Sequence, residues 1–255
     1  MKKLYPLFVS LILVLSGHVS LGLQADTDST KADQQKKKAY STTLNVRMHS
    51  MGFFSFTGRL ISDNPAADVY FNYTRSNGFG FQVFKAVDLM DAHSNNNFAL
   101  GLVFKHFVIN KKLTITPYFG GVLDQHHSVA DHGSDFVGQL ATTLKLTPHF
   151  SIDHIALFPN LVLMHEDADW INRVRVMYTS KHLDVTLWGW NNNKVMDETG
   201  YSTAGMSVYY NRIPVNEKWM LGMGVTGLKV LQTSDLVNCP RKDGILLTIA
   251  ATRHN

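Results

Sequence analysis

The stretch Asn97-Phe98-Ala99-Leu100-Gly101-Leu102-Val103-Phe104-Lys105 decides the fold. Phe98, Leu100, Leu102 and Phe104 fall at every second position, with Asn97, Gly101 and Lys105 on the alternate positions. Side chains of a strand point in turn to opposite faces, so this spacing collects large apolar groups on one side and small or polar groups on the other. A helix would scatter the same residues around its axis.

The rhythm repeats along the chain. Leu113, Ile115 and Phe119 alternate with Thr114, Thr116 and Tyr118, and Phe136, Leu140 and Leu144 oppose Gln139, Thr143 and Lys145. Further on, Val174 and Val176 oppose Arg173 and Arg175, and Leu183, Val185 and Leu187 oppose Asp184, Thr186 and Trp188. Twelve segments carry the signal, near 42–50, 52–62, 67–75, 78–88, 97–108, 112–123, 135–147, 149–164, 170–180, 182–191, 200–212 and 216–230, and a further one at 243–252 is a candidate for closing the sheet. Clusters of Asn, Asp, Gly, Pro and His separate them, as turns require.

Alternation is shared by soluble sandwiches and membrane barrels. Two features favour the membrane. Strands of about 9 to 11 residues joined by modest connections suit a tilted crossing of the bilayer. Aromatics also gather near segment ends, at Tyr70, Phe71, Tyr73, Trp170, Tyr178, Trp188, Trp190, Tyr209, Tyr210 and Trp219, where interfacial girdles would place them. The expected fold is all-β, an antiparallel up-and-down transmembrane β-barrel of about 12 strands. In strand rhythm, and in Phe98 to Phe107 followed by Leu113 to Gly121, the chain resembles small uncharacterised outer-membrane β-barrels of Bacteroidota-type bacteria. It departs from many outer-membrane barrels in finishing Thr252-Arg253-His254-Asn255 instead of on an aromatic residue.

Lys2 and Lys3 ahead of the apolar run Leu4 to Ser16 read as an export signal, with cleavage expected after Ala25. Residues 26–39 lack apolar groups to bury and read as a disordered polar tail, leaving 40–255 as one barrel domain. Loss of Lys2 and Lys3 lowers the formal charge from +4 to +2, and no basic stripe with interleaved aromatics argues for nucleic acid. Cys239 is the single cysteine, so strand pairing and packing must stabilise the fold without an intrachain disulfide. The partner expected is outer-membrane lipid, and no cofactor is expected.

His149, Ser151 and Asp153 share one face of a segment. A His two residues from a Ser on a strand resembles the outer-membrane phospholipases and lipid A deacylases. That resemblance implies His149 as general base, Ser151 as nucleophile, and Asp153 or Glu166 as the orienting carboxylate. The chain departs from it at Ile152 and Asp153, where those enzymes usually continue with Asn and Gly. A second cluster, Asp124, His126, His127, Asp131 and His132, offers imidazoles and carboxylates to a divalent ion, although its spacing matches no standard zinc pattern. Searches for GxGxxG, a phosphate-binding loop, HExxH and GxSxG find nothing.

The polar faces are expected to line the lumen, with Asn72, Lys105, Lys145, Arg173, Arg175, Asp184 and Thr186 as candidates. Mixed charges there either pair and plug a narrow barrel or line a water-filled path, and an open lumen bearing Arg173 and Arg175 attracts anions. The expected function is a narrow channel for small polar solutes, without catalysis. The alternatives are a lipid hydrolase using His149 and Ser151, a structural or adhesive barrel, and a soluble periplasmic β-barrel that binds a small apolar ligand.

Overall fold

The computed structural model describes residues 39–54, 58–93, 97–125, 136–158, 169–194, 201–232 and 243–254. The expected signal sequence, residues 26–38 of the polar tail, Cys239, Glu166, His126, His127, Asp131 and His132 lie outside the described residues.

Fifteen strands follow in order: β1 (Tyr40–His49), β2 (Gly52–Phe54), β3 (Arg59–Ser62), β4 (Ala66–Arg75), β5 (Phe79–Asp88), β6 (Phe98–Lys105), β7 (Phe107–Ile109), β8 (Leu113–Gln125), β9 (Phe136–Lys145), β10 (Phe150–Phe158), β11 (Asp169–Thr179), β12 (Leu183–Lys194), β13 (Tyr201–Pro214), β14 (Trp219–Gln232) and β15 (Gly244–His254). Each wall strand pairs antiparallel with its neighbours. The meander β4-β5-β6-β8-β9-β10-β11-β12-β13-β14-β15 is closed by β1, which lies between β4 and β15. The result is a closed barrel of twelve strands, with β7 as an extra strand that prolongs β6 along β8.

The count of twelve agrees with the sequence, but the membership differs. Segment 52–62 is not part of the wall. It forms the separate two-stranded hairpin β2-β3, while segment 243–252 supplies β15 and completes the circle. Gly58 explains the difference, because its φ of 66° is the left-handed turn that a continuous strand cannot contain.

All the short connections lie at one end: 76–78, 110–112, 146–149, 180–182 and 215–218. At 110–112 the chain reverses through Asn110 and Lys111, both at positive φ (47° and 60°), which matches the right-handed twist of paired strands. The strand ends that flank the longer connections, 50–65, 89–97, 126–135, 159–168, 195–200 and 233–243, lie at the other end. Membrane barrels keep short turns on the periplasmic side and long loops outside, which orients this one.

The outward face is apolar. Ile249, Leu247 and Met223 are 64%, 59% and 58% exposed, and Val69, Val103, Leu140, Val174, Leu187 and Val225 continue the band around the wall. A soluble protein seldom exposes a contiguous apolar patch beyond a few hundred Å². A band that circles the barrel is instead the surface that hydrocarbon covers. Its short-turn edge carries Tyr40 stacked on Tyr73, Tyr73 on Phe81, and Phe150 against Tyr178. Its long-loop edge carries Phe158 against Trp170 and Phe119 stacked on Phe136. Four aromatics expected in these girdles, Tyr70, Trp188, Trp190 and Tyr209, belong to the inward-facing set instead, because the register places them opposite other inward residues.

The strand that decided the fold also turns its apolar face inward. Phe98, Leu100, Leu102 and Phe104 are buried, and Val103 on the alternate face is exposed. Phe98, Leu100 and Leu102 share a cluster with Leu60 of the β2-β3 hairpin, whereas Phe104 packs against His106 and Tyr118. Leu60 of β3 is 1% exposed and sits in one cluster with Phe98, Leu100, Trp190, Leu228 and Leu246. The apolar cluster gathers residues from the long-loop ends of the wall strands, among them Phe98, Val137, Leu157, Ile171, Leu228 and Leu246.

Candidate functional site

The polar part of the lumen is organised by three inward-facing aspartates, each held by arginine. On β10 and β11, antiparallel register sets Asp153 directly across from Arg175, with Arg173 two residues along on the same face. Arg175 grips the carboxylate with two donors, Nε to Oδ1 at 2.7 Å and Nη2 to Oδ2. Arg173 Nη2 donates to the same Oδ2 at 3.2 Å. Asp153 is 4% exposed, so both guanidinium groups are committed to one desolvated carboxylate. The group keeps a surplus positive charge. Arg173 Nε is buried without a hydrogen-bond partner, and its guanidinium lies 5.1 Å from the centroid of Trp190, a cation–π distance.

Across β1, β4 and β15, Asp68 takes Arg47 in the same two-pronged way, Nε to Oδ1 at 2.7 Å and Nη2 to Oδ2 at 2.8 Å. His49 Nε2 lies 3.0 Å from Asp68 Oδ2, and its Nδ1 lies 2.8 Å from Thr248 Oγ1. This chain of side chains bridges the strands where the barrel closes.

The third group sits at the short-turn rim. Arg212, in a bulge of β13 at φ 60°, donates Nη1 and Nη2 to Asp184 at 3.1 and 2.8 Å, and Asn211 Nδ2 adds a donor at 2.6 Å. Arg212 also donates to the carbonyls of Ser180 and Lys181, which ties the rim of β13 to the 180–182 turn. Between the second and third groups the lumen widens into a cavity of about 300 Å³ lined by Asn45, Arg47, Tyr209, Asn211, Arg212 and Thr252, among others.

The expected lumen residues divide by the alternation of their strands. Arg173, Arg175, Asp184, Thr186 and Asn72 belong to the inward set, and Lys145 ends β9 in the inward register, exposed at the rim. Lys105 does not line the lumen. It shares the outward face with Val103, because β6 is turned apolar side in, and its Nζ donates to the carbonyl of Asn77 at the strand end. Sequence reading missed Arg47, His49, Asp68, Arg212 and Thr248. Alternation within β1 and β4 marks Arg47 and Asp68 as same-face polar residues, but their meeting depends on a register that alternation does not specify.

The hydrolase constellation is not brought together. His149 sits outside β10, with its Nδ1 2.9 Å from the carbonyl oxygen of Thr179, and Asp153 is occupied by two arginines. Asp124 lies in β8 opposite Ala99, and no group of three or more metal-ligating side chains occurs among the described residues.

No family model and no curated protein matches the chain. Solved structures do. A KdgM porin superposes with a TM-score of 0.56 at 10% identity, over 83% of this chain and 98% of that one. A NanC porin gives 0.55 at 9% identity over the same shares, and a KdgM porin in complex with disordered oligogalacturonate gives 0.53 at 10% identity, over 84% and 98%. At such identity the likeness concerns the fold. The likeness gives the chain the fold of porin β-barrels, and the apolar outer belt is the surface of one that sits in a membrane.

Proposed function

We propose that the barrel is a channel for small polar solutes that favours anions. The observation that carries the reading is the pairing of Arg173 and Arg175 with the single carboxylate of Asp153 inside the lumen, which leaves a positive charge in its polar part. A charge in a narrow, low-dielectric passage concentrates counter-ions and repels like charges far more strongly than on an open surface. Arg47 and Arg212 border the cavity, each paired with an aspartate. One of the similar folds is a KdgM porin in complex with oligogalacturonate, a chain of carboxylate-bearing sugars, and carboxylates are what such guanidinium groups bind well. The outer belt takes outer-membrane lipid as its partner. A kinship with Bacteroidota-type barrels is part of the same proposal and rests on strand rhythm.

The test is ion selectivity in planar bilayers under a salt gradient. Open events of the parent protein are expected to show an anion-selective reversal potential, and Arg173→Gln with Arg175→Gln is expected to move it toward the cation side. An unchanged reversal potential removes these arginines from the conduction path.

A further inference from the structure

We infer that the β2-β3 hairpin is a displaceable plug that shuts the outer mouth of the barrel, an inference that rests on the channel reading above. Its seat is specific. Gly58 lies against Trp190 so closely that a Cβ there would stand 2.1 Å from Trp190 Cδ1, and its carbonyl accepts a hydrogen bond of 2.9 Å from Thr203 Oγ1. Leu60 fills the space beside Gly244, where a Cβ would stand 2.3 Å from Leu60 Cδ1. Residues of β12, β13 and β15 thus receive a segment that the chain inserts between β1 and β4.

The wall does not need the hairpin. β1 and β4 pair in unbroken register up to His49 opposite Ala66, so the strands on either side of the insertion close the barrel without it. The ladder of the hairpin is internal, Gly52 opposite Ser62 and Phe54 opposite Arg59. An isolated two-stranded hairpin is marginally stable in water. Among the described residues its hold on the wall includes the burial of Leu60, the Thr203 hydrogen bond, and the bond from Ser62 Oγ to Asp88 at 2.8 Å. The apolar lining beneath it, Phe98, Leu100 and Leu228 among others, wets poorly, which favours the closed form and makes the mouth a hydrophobic constriction.

Single-channel recording distinguishes the outcomes. The parent protein is expected to be closed most of the time. Leu60→Ser and Gly58→Val, the first removing the buried group and the second adding a side chain where both Trp190 and a positive φ forbid it, are expected to raise the open fraction at least about ten-fold, since loss of one buried leucine exceeds a decade in an equilibrium. A third protein, with residues 52–62 replaced by a short Gly-Ser bridge, is expected to stay open. The heat-dependent shift of the unboiled band on electrophoresis shows that each barrel is folded. If the parent conducts as steadily as all three, the hairpin is no plug. If the folded Gly-Ser protein carries no current, the channel reading itself falls.

Discussion

Asp153 holds two arginines with one carboxylate, and its replacement shows how burial changes the worth of a charge. In water an ion pair contributes about 0–1 kcal/mol, but removal of one partner from a buried group costs about 3–5 kcal/mol because the remaining charge is left desolvated and uncompensated. Asp153→Asn is therefore expected to destabilise the barrel by about 3–5 kcal/mol, read as a lower temperature for loss of the heat-shifted band. Asp184→Asn, whose carboxylate is 25% exposed at the rim, is expected to cost much less, so the two measurements together separate burial from the presence of charge. At the same scale, the inward polarity of Arg173, Arg175 and Asp184 was legible from alternation, because a residue adjacent to an outward valine or leucine on a strand must face in. Their partners were not legible. That Asp68 meets Arg47, and Asp184 meets Arg212, is a property of register and of a bulge, and neither leaves a periodic trace.

Among the elements, β6 and the β2-β3 hairpin explain each other. The pattern of β6 is a faithful strand signal, yet it cannot say which side is lipid. A wall strand facing hydrocarbon and one facing a packed hairpin both need one apolar face, so the position of Leu60 inside the barrel explains why Phe98, Leu100 and Leu102 turn inward. The same ambiguity misplaced Lys105 and four of the girdle aromatics. β15 provides the contrasting element, with Ile245, Leu247 and Ile249 outward and Leu246, Thr248 and Ala250 inward. Arginine on the lipid face of a membrane barrel costs about 2–4 kcal/mol near the midplane. Ile249→Arg is expected to lose that much, measured by urea unfolding in lipid vesicles, whereas a loss below about 1 kcal/mol would place Ile249 at an interface and not within hydrocarbon.

For the whole molecule, the split between short turns and long connections gives an orientation that can be checked directly. An epitope inserted at 215–218 is expected to stay hidden from antibody on intact cells, and one at 126–135 to be reached; the reverse labelling would invert the barrel in the membrane. The fold class and the number of wall strands were legible at this scale because every crossing repeats the same physical requirement. The plug was not, since a hairpin packed inside a barrel obeys the same period as the wall around it.

The join between β1 and β15 fixes the order of assembly. Thr43 meets His254 and His49 meets Thr248 across nearly the whole barrel sequence, so this join has the largest loop-closure entropy of the wall and is expected to form after the intervening strands are present. Until then the growing sheet has two open edges, with the backbone donors and acceptors of β1 and β15 unpaired and able to join any other strand. Maturation of this protein is thus governed by a single late zippering event, during which the first and last strands must be shielded from other chains.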